Sequence, residues 1–314
     1  MFEIPLEQLS PLPAWVPLPG RSLLRLNGID RVSFLQALVT NDVTQVSREW
    51  SVYTVLLTPQ GKILHDIFIA AAPPADDGSP DDEAFLLDVE KARRDDLLER
   101  LRRYKLRARV GFEDLDGRFE VVALIGGTAA ATVGLPASPG ATNPFQAGIA
   151  MVDPRLAALG VRLMIPCGGG ADLVMAGGAV AGSFEDYEML RLDQGVPEGS
   201  RDLLVDKTLP LENNLDALNA ISWTKGCYVG QEVTARTRYR GLVRRRLRPV
   251  WVEGQLPPPD TTVMANGVEA GEVRSGCGNL ALVMLRLDIQ DAASVKLTAG
   301  DAVLSPLVPG WAQI

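Results

Sequence analysis

A short run of chemically versatile side chains, KGCYVGQE at residues 225–232, is the part of this sequence best suited to chemistry. It places an ammonium, a thiol, a phenol, an amide and a carboxylate within one segment. Its two glycines, Gly226 and Gly230, favour a tight loop in which a ligand can approach the backbone closely. An ammonium beside a thiol favours the thiolate, so Lys225 could make Cys227 reactive or redox-sensitive.

The residue types leave a second interpretation of Cys227 open. Free cysteine is among the most buried residue types, and a catalytic thiol is usually activated by a histidine. The chain has a single histidine, His65, far away in sequence. Taken alone, these facts slightly favour Cys227 as a small buried side chain.

Arginines follow the run, among them Arg236 and Arg238, with Tyr239 between them and Arg240. Guanidinium groups suit the carboxylate tail of an anionic ligand, or RNA phosphates. The alternative is a solvated strand face at a domain boundary. The acidic balance of the whole chain, with a net charge of −8, argues against nucleic acid as the main partner.

Two carboxylates stand out elsewhere in the sequence. Asp66 interrupts the apolar strand pattern HDIFIA, where a carboxylate is either paired, functional or at a wet strand edge. Asp193, at the end of a predicted helix, is either near the same site or simply solvated.

Composition limits the classes of protein. A chain of 314 residues with 46% apolar content can form two or more domains. Three distant cysteines predict no disulfide framework and, with one histidine, no intrinsic metal site. The N-terminus lacks the pattern of a signal peptide, and no apolar run is long enough to predict a membrane span. We therefore expect a cytoplasmic protein.

The elements that must position these residues follow from hydrophobic periodicity. We predict a β-α-β-β-α-β unit up to about residue 112, with Asp30 and Asp88 as helix N-caps and a turn at 58–61. A second such unit follows, with a helix over 183–195 that Ser183 and Asp186 cap, and a short helix over 212–222. From residue 241 to 314, short strand patterns predict a β-barrel, with an Asn-Gly hairpin at 265–267.

The run KGCYVGQEVTART (225–237) closely resembles the signature of the YgfZ family, and the similarity continues through YRGLVRRRL. Further segments resemble the family in the same order: FLQALVTNDV (34–43), LTPQGKILHDIFI (57–69), RLDQGVP (191–197) and LPLENNLDALNAISWTKGC (209–227). The resemblance therefore covers roughly residues 20–250.

This family is similar in fold to the T-protein of the glycine cleavage system, a tetrahydrofolate-dependent aminomethyltransferase. The resemblance implies an α+β fold: two ferredoxin-like lobes over residues 1–240 around a folate-sized opening, and a C-terminal β-barrel over 241–314. It also implies a role in assembling or repairing iron–sulfur clusters of selected enzymes, which supports tRNA modification indirectly.

The resemblance assigns roles residue by residue. Asp66 and Asp193 would contact tetrahydrofolate or a derivative, and Arg236 and Arg238 would meet its anionic tail. Cys227 would carry the redox or cluster-linked step with the help of Lys225, and Gln231 and Glu232 would shape the loop.

Two departures bear on activity. His65-Asp66 replaces the Asp-Asp pair of the T-protein, and Asp193 replaces its glutamate. A cysteine at the position of Cys227 belongs to the YgfZ branch. These differences favour an accessory protein, with Fe–S enzymes or assembly factors and folate as partners, and without direct contact with nucleic acid or membranes. A folate-dependent aminomethyltransferase is the alternative, and whether the protein is an enzyme stays open.

Overall fold

The computed structural model describes residues 12–73, 83–290 and 296–312. Most of the surface loop predicted at 71–83, and the proline-rich N-terminus up to residue 11, lie outside these ranges. Within them, none of the helices combines the length and apolarity needed to span a bilayer.

The first sheet is antiparallel, with strand order β3-β4-β5-β2-β6. The chain enters through β1, which belongs to the second sheet, and then builds the first one. The elements are β1 (Ala14–Pro17), β2 (Arg21–Asn27), α1 (Arg31–Gln36), β3 (Val52–Leu57), β4 (Ile63–Ala71), β5 (Ala84–Glu90), α2 (Arg94–Lys105) and β6 (Gly111–Asp114). This sheet has one strand more than the simplest ferredoxin-like unit.

The second sheet has the order β11-β1-β7-β10-β9-β8, so β1 belongs to it although it precedes the whole first sheet in the chain. Its further elements are β7 (Phe119–Ile125), α3 (Ala129–Thr132), β8 (Thr142–Phe145), β9 (Gly148–Val152), β10 (Val161–Pro166), α4 (Ala171–Ala176) and β11 (Val180–Ala181). Helices α5 (Phe184–Asp193), α6 (Gly199–Asp202) and α7 (Gln231–Tyr239) follow. Short 3-10 helices occupy Val43–Gln45, Lys91–Arg93, Ala157–Leu159 and Pro210–Asn213.

The C-terminal strands form a closed barrel, which confirms the predicted architecture. They are β12 (Arg245–Glu253), β13 (Thr262–Ala265), β14 (Val268–Cys277), β15 (Leu280–Arg286), β16 (Leu297–Ala299) and β17 (Ala302–Pro306), with α8 (Leu287–Gln290) after β15. The barrel closes where β17 pairs with β12. The Asn-Gly hairpin forms as predicted, since Asn266 and Gly267 both have the positive φ that this turn requires.

The faces of β2 show how the first sheet is shared between two cores. Leu24 and Leu26 pack toward α1 and α2, whereas Leu23 faces the second sheet. Tyr53 and Phe68 lie on that same inner side, where their tilted rings are in contact with centres 4.8 Å apart. The space between the two sheets is therefore a core, and it also holds charged residues.

Several local predictions need correction. Asp88 does not cap a helix, because β5 continues through it to Glu90 and α2 begins only at Arg94. The helix predicted over 212–222 is instead the 3-10 turn Pro210–Asn213, which ends where Asn214 adopts a left-handed conformation. Asp30 does precede α1, but its carboxylate accepts hydrogen bonds from Arg109 rather than capping the helix.

The predicted capping of α5 is confirmed. The Ser183 hydroxyl accepts a hydrogen bond from the backbone of Asp186, and the Asp186 carboxylate accepts one from the backbone of Ser183. The turn at 58–61 forms as well, with the Gly61 amide donating to the Thr58 carbonyl.

Candidate functional site

The Cys227 loop, defined as residues 225–230, is held by a lysine that reaches back to the first lobe. The Lys225 ammonium donates to the carbonyls of Val39 and Asn41, at 2.7 and 2.6 Å. It also lies 5.3 Å from the centre of the Tyr228 ring. Burial lowers the pKa of Lys225 to about 8, although Asp42 acts in the opposite direction. Lys225 thus ties the start of the loop to the segment 39–41.

The segment 39–41 is also bound to the chain just before the loop. The Thr40 hydroxyl donates to the carbonyl of Ala220 at 2.6 Å, and the Asn41 amide donates to that of Asn219 at 2.7 Å. The backbone amide of Ser222 returns a hydrogen bond to Thr40. Thr40 and Asn41 therefore hold in place the segment that leads into the Cys227 loop.

The far end of the loop lies against the turn at 58–61. Gly230 has a positive φ, and a Cβ added there would lie 2.7 Å from the Thr58 carbonyl oxygen. A Cβ at Gly61 would lie 2.9 Å from that of Val233. Glycine is required at both positions because only a bare backbone allows so close an approach.

Cys227 lies between these two attachments as an exposed free thiol. Its interpretation as a small buried side chain is therefore wrong. Lys225 and Tyr228 are buried, whereas the two residues between them, Gly226 and Cys227, face solvent.

The residues after the loop form helix α7, where the sequence suggested a loop or a strand. Gln231 and Glu232 open the helix, and Glu232 pairs with Arg236 one turn later. The Arg238 guanidinium stacks on Trp223, 4.0 Å from the ring centre. Six of the predicted site residues thus share one loop and helix: Lys225, Cys227, Gln231, Glu232, Arg236 and Arg238.

Asp66 lies elsewhere, in a buried cluster between the two sheets. We call this cluster the inter-sheet ion-pair network; its members are Arg21, Asp66, Asp88, Asp153, Arg155, Arg162, Tyr187 and Glu198. The Asp66 carboxylate accepts a hydrogen bond from Arg21 at 3.2 Å and is 4% exposed. Burial acts to lower the pKa of Arg21, but Asp88 and Asp66 together raise it above its ordinary value.

Asp88 is the centre of one half of the network. One of its carboxylate oxygens accepts from Arg21 at 2.6 Å, and the other accepts from Arg162 at 2.8 and 3.0 Å. The Arg162 guanidinium stacks on Phe68, 4.0 Å from the ring centre. Asp88 therefore joins the two sheets through a guanidinium from each.

Arg155 organises the other half. It binds both oxygens of Asp153, at 3.0 and 2.8 Å, and donates to the Tyr187 hydroxyl. Tyr187 in turn donates to Glu198. Burial would raise the pKa of Glu198, but Arg155 and Arg162 hold it well below its ordinary value. The sequence offered one signal for these residues, which is the presence of charges within apolar strand patterns such as VRLMIP.

The Asp193 carboxylate is free to accept hydrogen bonds from a ligand, whereas the Asp66 carboxylate is not. It ends α5, where burial raises its pKa and its one described hydrogen bond comes from the neighbouring Gln194. The Trp311 indole donates to the carbonyl of Gln194 at 2.8 Å, so this helix end meets the C-terminal segment. A pterin edge needs hydrogen-bond acceptors. Asp193 provides such an acceptor, whereas the Asp66 carboxylate is already bound to Arg21.

No group of three or more His, Cys, Asp and Glu side chains in the described ranges is arranged to hold a metal ion. Cys167 is also exposed, just after β10, and Cys277 is half-buried at the end of β14.

Comparison with solved structures confirms the predicted fold. The chain is similar to the glycine cleavage system aminomethyltransferase T from Bartonella henselae, with a TM-score of 0.71 at 16% identity, covering 94% of this chain and 85% of that one. A family model described as the CAF17 C-terminal beta-barrel domain matches residues 244–314.

Curated relatives cover nearly the whole chain. The mitochondrial iron-sulfur cluster assembly factor IBA57 of Mus musculus is 36% identical and that of Homo sapiens 35%, each over 94% of this chain and 84% of its own length. A homologue from Aspergillus oryzae is 31% identical. The expected cytoplasmic location is contradicted, because these relatives are mitochondrial. By this identity and coverage, the chain belongs to the IBA57 family of iron–sulfur cluster assembly factors.

Proposed function

We propose that this protein acts in the assembly or repair of iron–sulfur clusters on selected enzymes, with Cys227 in contact with a cluster in transit. The observation that carries the proposal is an exposed free thiol on a loop fixed at both ends. Cysteine thiolate is the usual protein ligand of iron in such clusters. The names of the curated relatives support the same role.

A single thiol cannot hold a cluster by itself, because clusters are usually bound by four ligands. Cys167 and Cys277 lie on other elements, after β10 and at the end of β14, and the described residues include no cluster of three or more potential metal ligands. In our proposal Cys227 is therefore one ligand among several, and an assembly factor or client enzyme supplies the others. Any effect on tRNA modification is indirect and passes through such a client, as expected for a YgfZ-type protein.

Tetrahydrofolate or a derivative is the small ligand of the proposal, and the T-protein-like fold supports it. When bound, folate would supply a carrier for one-carbon or redox chemistry. Asp193 would accept hydrogen bonds from it, while Asp66 would maintain the inter-sheet ion-pair network. Folate-dependent aminomethyl transfer is the second candidate function, favoured by the same fold. Methylene-tetrahydrofolate formed from a lipoyl-linked aminomethyl donor would be its signature.

The decisive experiment replaces cysteines one at a time in a strain that lacks its own relative of this protein. We expect Cys227→Ser to fail to restore the activity of [4Fe–4S] enzymes. Cys167→Ser is the matched control, since it removes another exposed thiol, and we expect it to restore activity fully. Restoration by both variants, at equal protein levels, would exclude the thiol from the function.

A further inference from the structure

Helix α7 follows the Cys227 loop directly in the chain, and this helix and the residues after it carry an exposed basic surface. We define the α7 face by Arg236, Arg238, Tyr239, Arg240, Leu242 and Arg244. All six are exposed, with Tyr239 at 76% and Leu242 at 48%. Aromatic and aliphatic side chains exposed to this degree among arginines are typical of a protein-binding surface.

The charges of the α7 face are only partly compensated. Arg236 pairs with Glu232, which is itself exposed. Arg240 and Arg244 have no ion-pair partner among the residues that the structure describes. This positive surface belongs to a chain with a net charge of −8. Opposite charge on a partner would therefore favour its association with this face.

The face is linked to the loop by a stack of side chains. The Arg238 guanidinium lies 4.0 Å from the ring centre of Trp223 and 5.9 Å from that of Tyr239. Trp223 precedes Lys225 by two residues. Stacking of guanidinium on aromatic rings limits the motion of both groups. The α7 face is therefore fixed against the segment that leads into the Cys227 loop.

We infer that the α7 face docks an acidic protein surface and brings that partner's cluster ligands to Cys227. The inference rests on the proposed function and names the class of partner. RNA would fit the arginines and the exposed Tyr239 ring, but not the remaining features. The face of Trp223 toward the helix is already covered by Arg238, Leu242 offers no stacking surface, and a thiol has no use on a nucleic acid.

The test measures binding of a fluorescent Glu–Tyr copolymer to the full chain by anisotropy. Its carboxylates and rings reproduce the proposed partner chemistry. We expect salt-dependent binding that weakens about tenfold or more in Arg240→Glu/Arg244→Glu. The copolymer should also slow the alkylation of Cys227 by iodoacetamide, followed by mass spectrometry.

The matched control is Arg102→Glu/Arg107→Glu, which reverses two exposed arginines near the end of α2 and changes the net charge equally. It should bind like the wild type. Equal losses in both double variants, no binding at all, or tighter binding of single-stranded RNA of equal charge would each overturn the inference. The assay contains no cluster, so its failure would leave the Cys227→Ser experiment unaffected, and the converse also holds.

Discussion

The Cys227 loop and the inter-sheet ion-pair network are both built from polar side chains, but they differ in whether a reactive group stays accessible to solvent. In the network, Asp88 and Arg155 are almost completely buried, and every charge is paired with another. In the loop, polar groups bind backbone carbonyls and leave one thiol exposed. The first arrangement holds two sheets together, and the second presents a reactive atom.

This difference shows that a chemically suggestive residue type does not identify a functional residue. Asp66 has the type of a catalytic carboxylate, yet Arg21 neutralises it between the sheets. Thr40 and Asn41 have unremarkable types, yet they fix the loop that carries Cys227. What separates the two cases is the partner of each group and whether it remains accessible.

The variant Asp88→Asn tests the inter-sheet ion-pair network, and it has the largest expected effect. Loss of this charge would leave Arg21 and Arg162 buried without a full counter-charge, so we expect a destabilisation of about 3–5 kcal/mol. Urea unfolding measures it. Asp95→Asn is the matched control, because its carboxylate is exposed and its pair with Arg94 should be worth less than about 1 kcal/mol. Similar losses in both variants would contradict a supporting role for the network.

His65 is the neighbour of Asp66 on β4 but lies outside the network, because its imidazole is hydrogen-bonded to Asp96 of α2, and it allows a separate pH-dependent test of burial. Burial and the nearby Arg93 lower its pKa from 6.5 to about 4. Between these values the unfolded chain binds more protons than the folded one, so the free energy of unfolding decreases as the pH falls from 6.5 to 4. The total effect is roughly 3 kcal/mol at most.

Proton NMR measures this directly, because His65 is the only histidine in the chain. We expect a titration midpoint near pH 4 in the folded protein. His65→Gln should lose less stability than the wild type over the same pH range. A midpoint near 6.5 would show that the imidazole is accessible to water and that burial does not control it.

Much of this fold can be predicted from the sequence, because apolar periodicity and turn residues determine helices, strands and turns locally. The capped helix α5, the turn at 58–61 and the Asn-Gly hairpin each depend on residues close together in the chain. Asp88 shows where that reasoning fails. Its partners Arg21 and Arg162 are distant in sequence, so only the packing of two sheets reveals that it belongs to a strand.

Helix α7 was missed for a different reason. Its buried side chains are Thr234 and Thr237, so it lacks the apolar stripe by which a helix is recognised in sequence. The helix expected over 212–222 has apolar residues at suitable spacing. However, Asn213 donates to the Leu209 carbonyl and Asn214 adopts a left-handed conformation, which favours turns. Of the site, the sequence alone identified the loop but not the direction of its thiol.

The Cys227 loop can be tested with Lys225→Met, which removes the ammonium that binds the loop to Val39 and Asn41. The carbonyls of Val39 and Asn41 would lose a buried partner, and we expect a cost of about 1–3 kcal/mol. Because the loop would no longer be held in place, this variant should also fail to support [4Fe–4S] enzymes although Cys227 is intact. Urea unfolding and the complementation assay measure the two effects.

Lys62→Met is the matched control for this variant, since the Lys62 ammonium also donates to a backbone carbonyl, that of Lys207, but at an exposed position. We expect its effect on stability to stay within about 0.5 kcal/mol and its complementation to be normal. If Lys225→Met complements as well as Lys62→Met does, the hydrogen bonds of Lys225 are not needed to hold the thiol in position.

The smallest expected effect concerns which carboxylate meets folate. Calorimetry with tetrahydrofolate should show that Asp193→Ala weakens binding about tenfold, or roughly 1.4 kcal/mol. Asp66→Asn should leave the affinity unchanged and lower the stability instead, because its partner is Arg21. The opposite pattern would mean that Asp66 leaves the network to bind the ligand, and the division between the two regions would not hold. If the wild type binds no tetrahydrofolate, the ligand leaves the proposed function, whereas the role of Cys227 stands on its own observations.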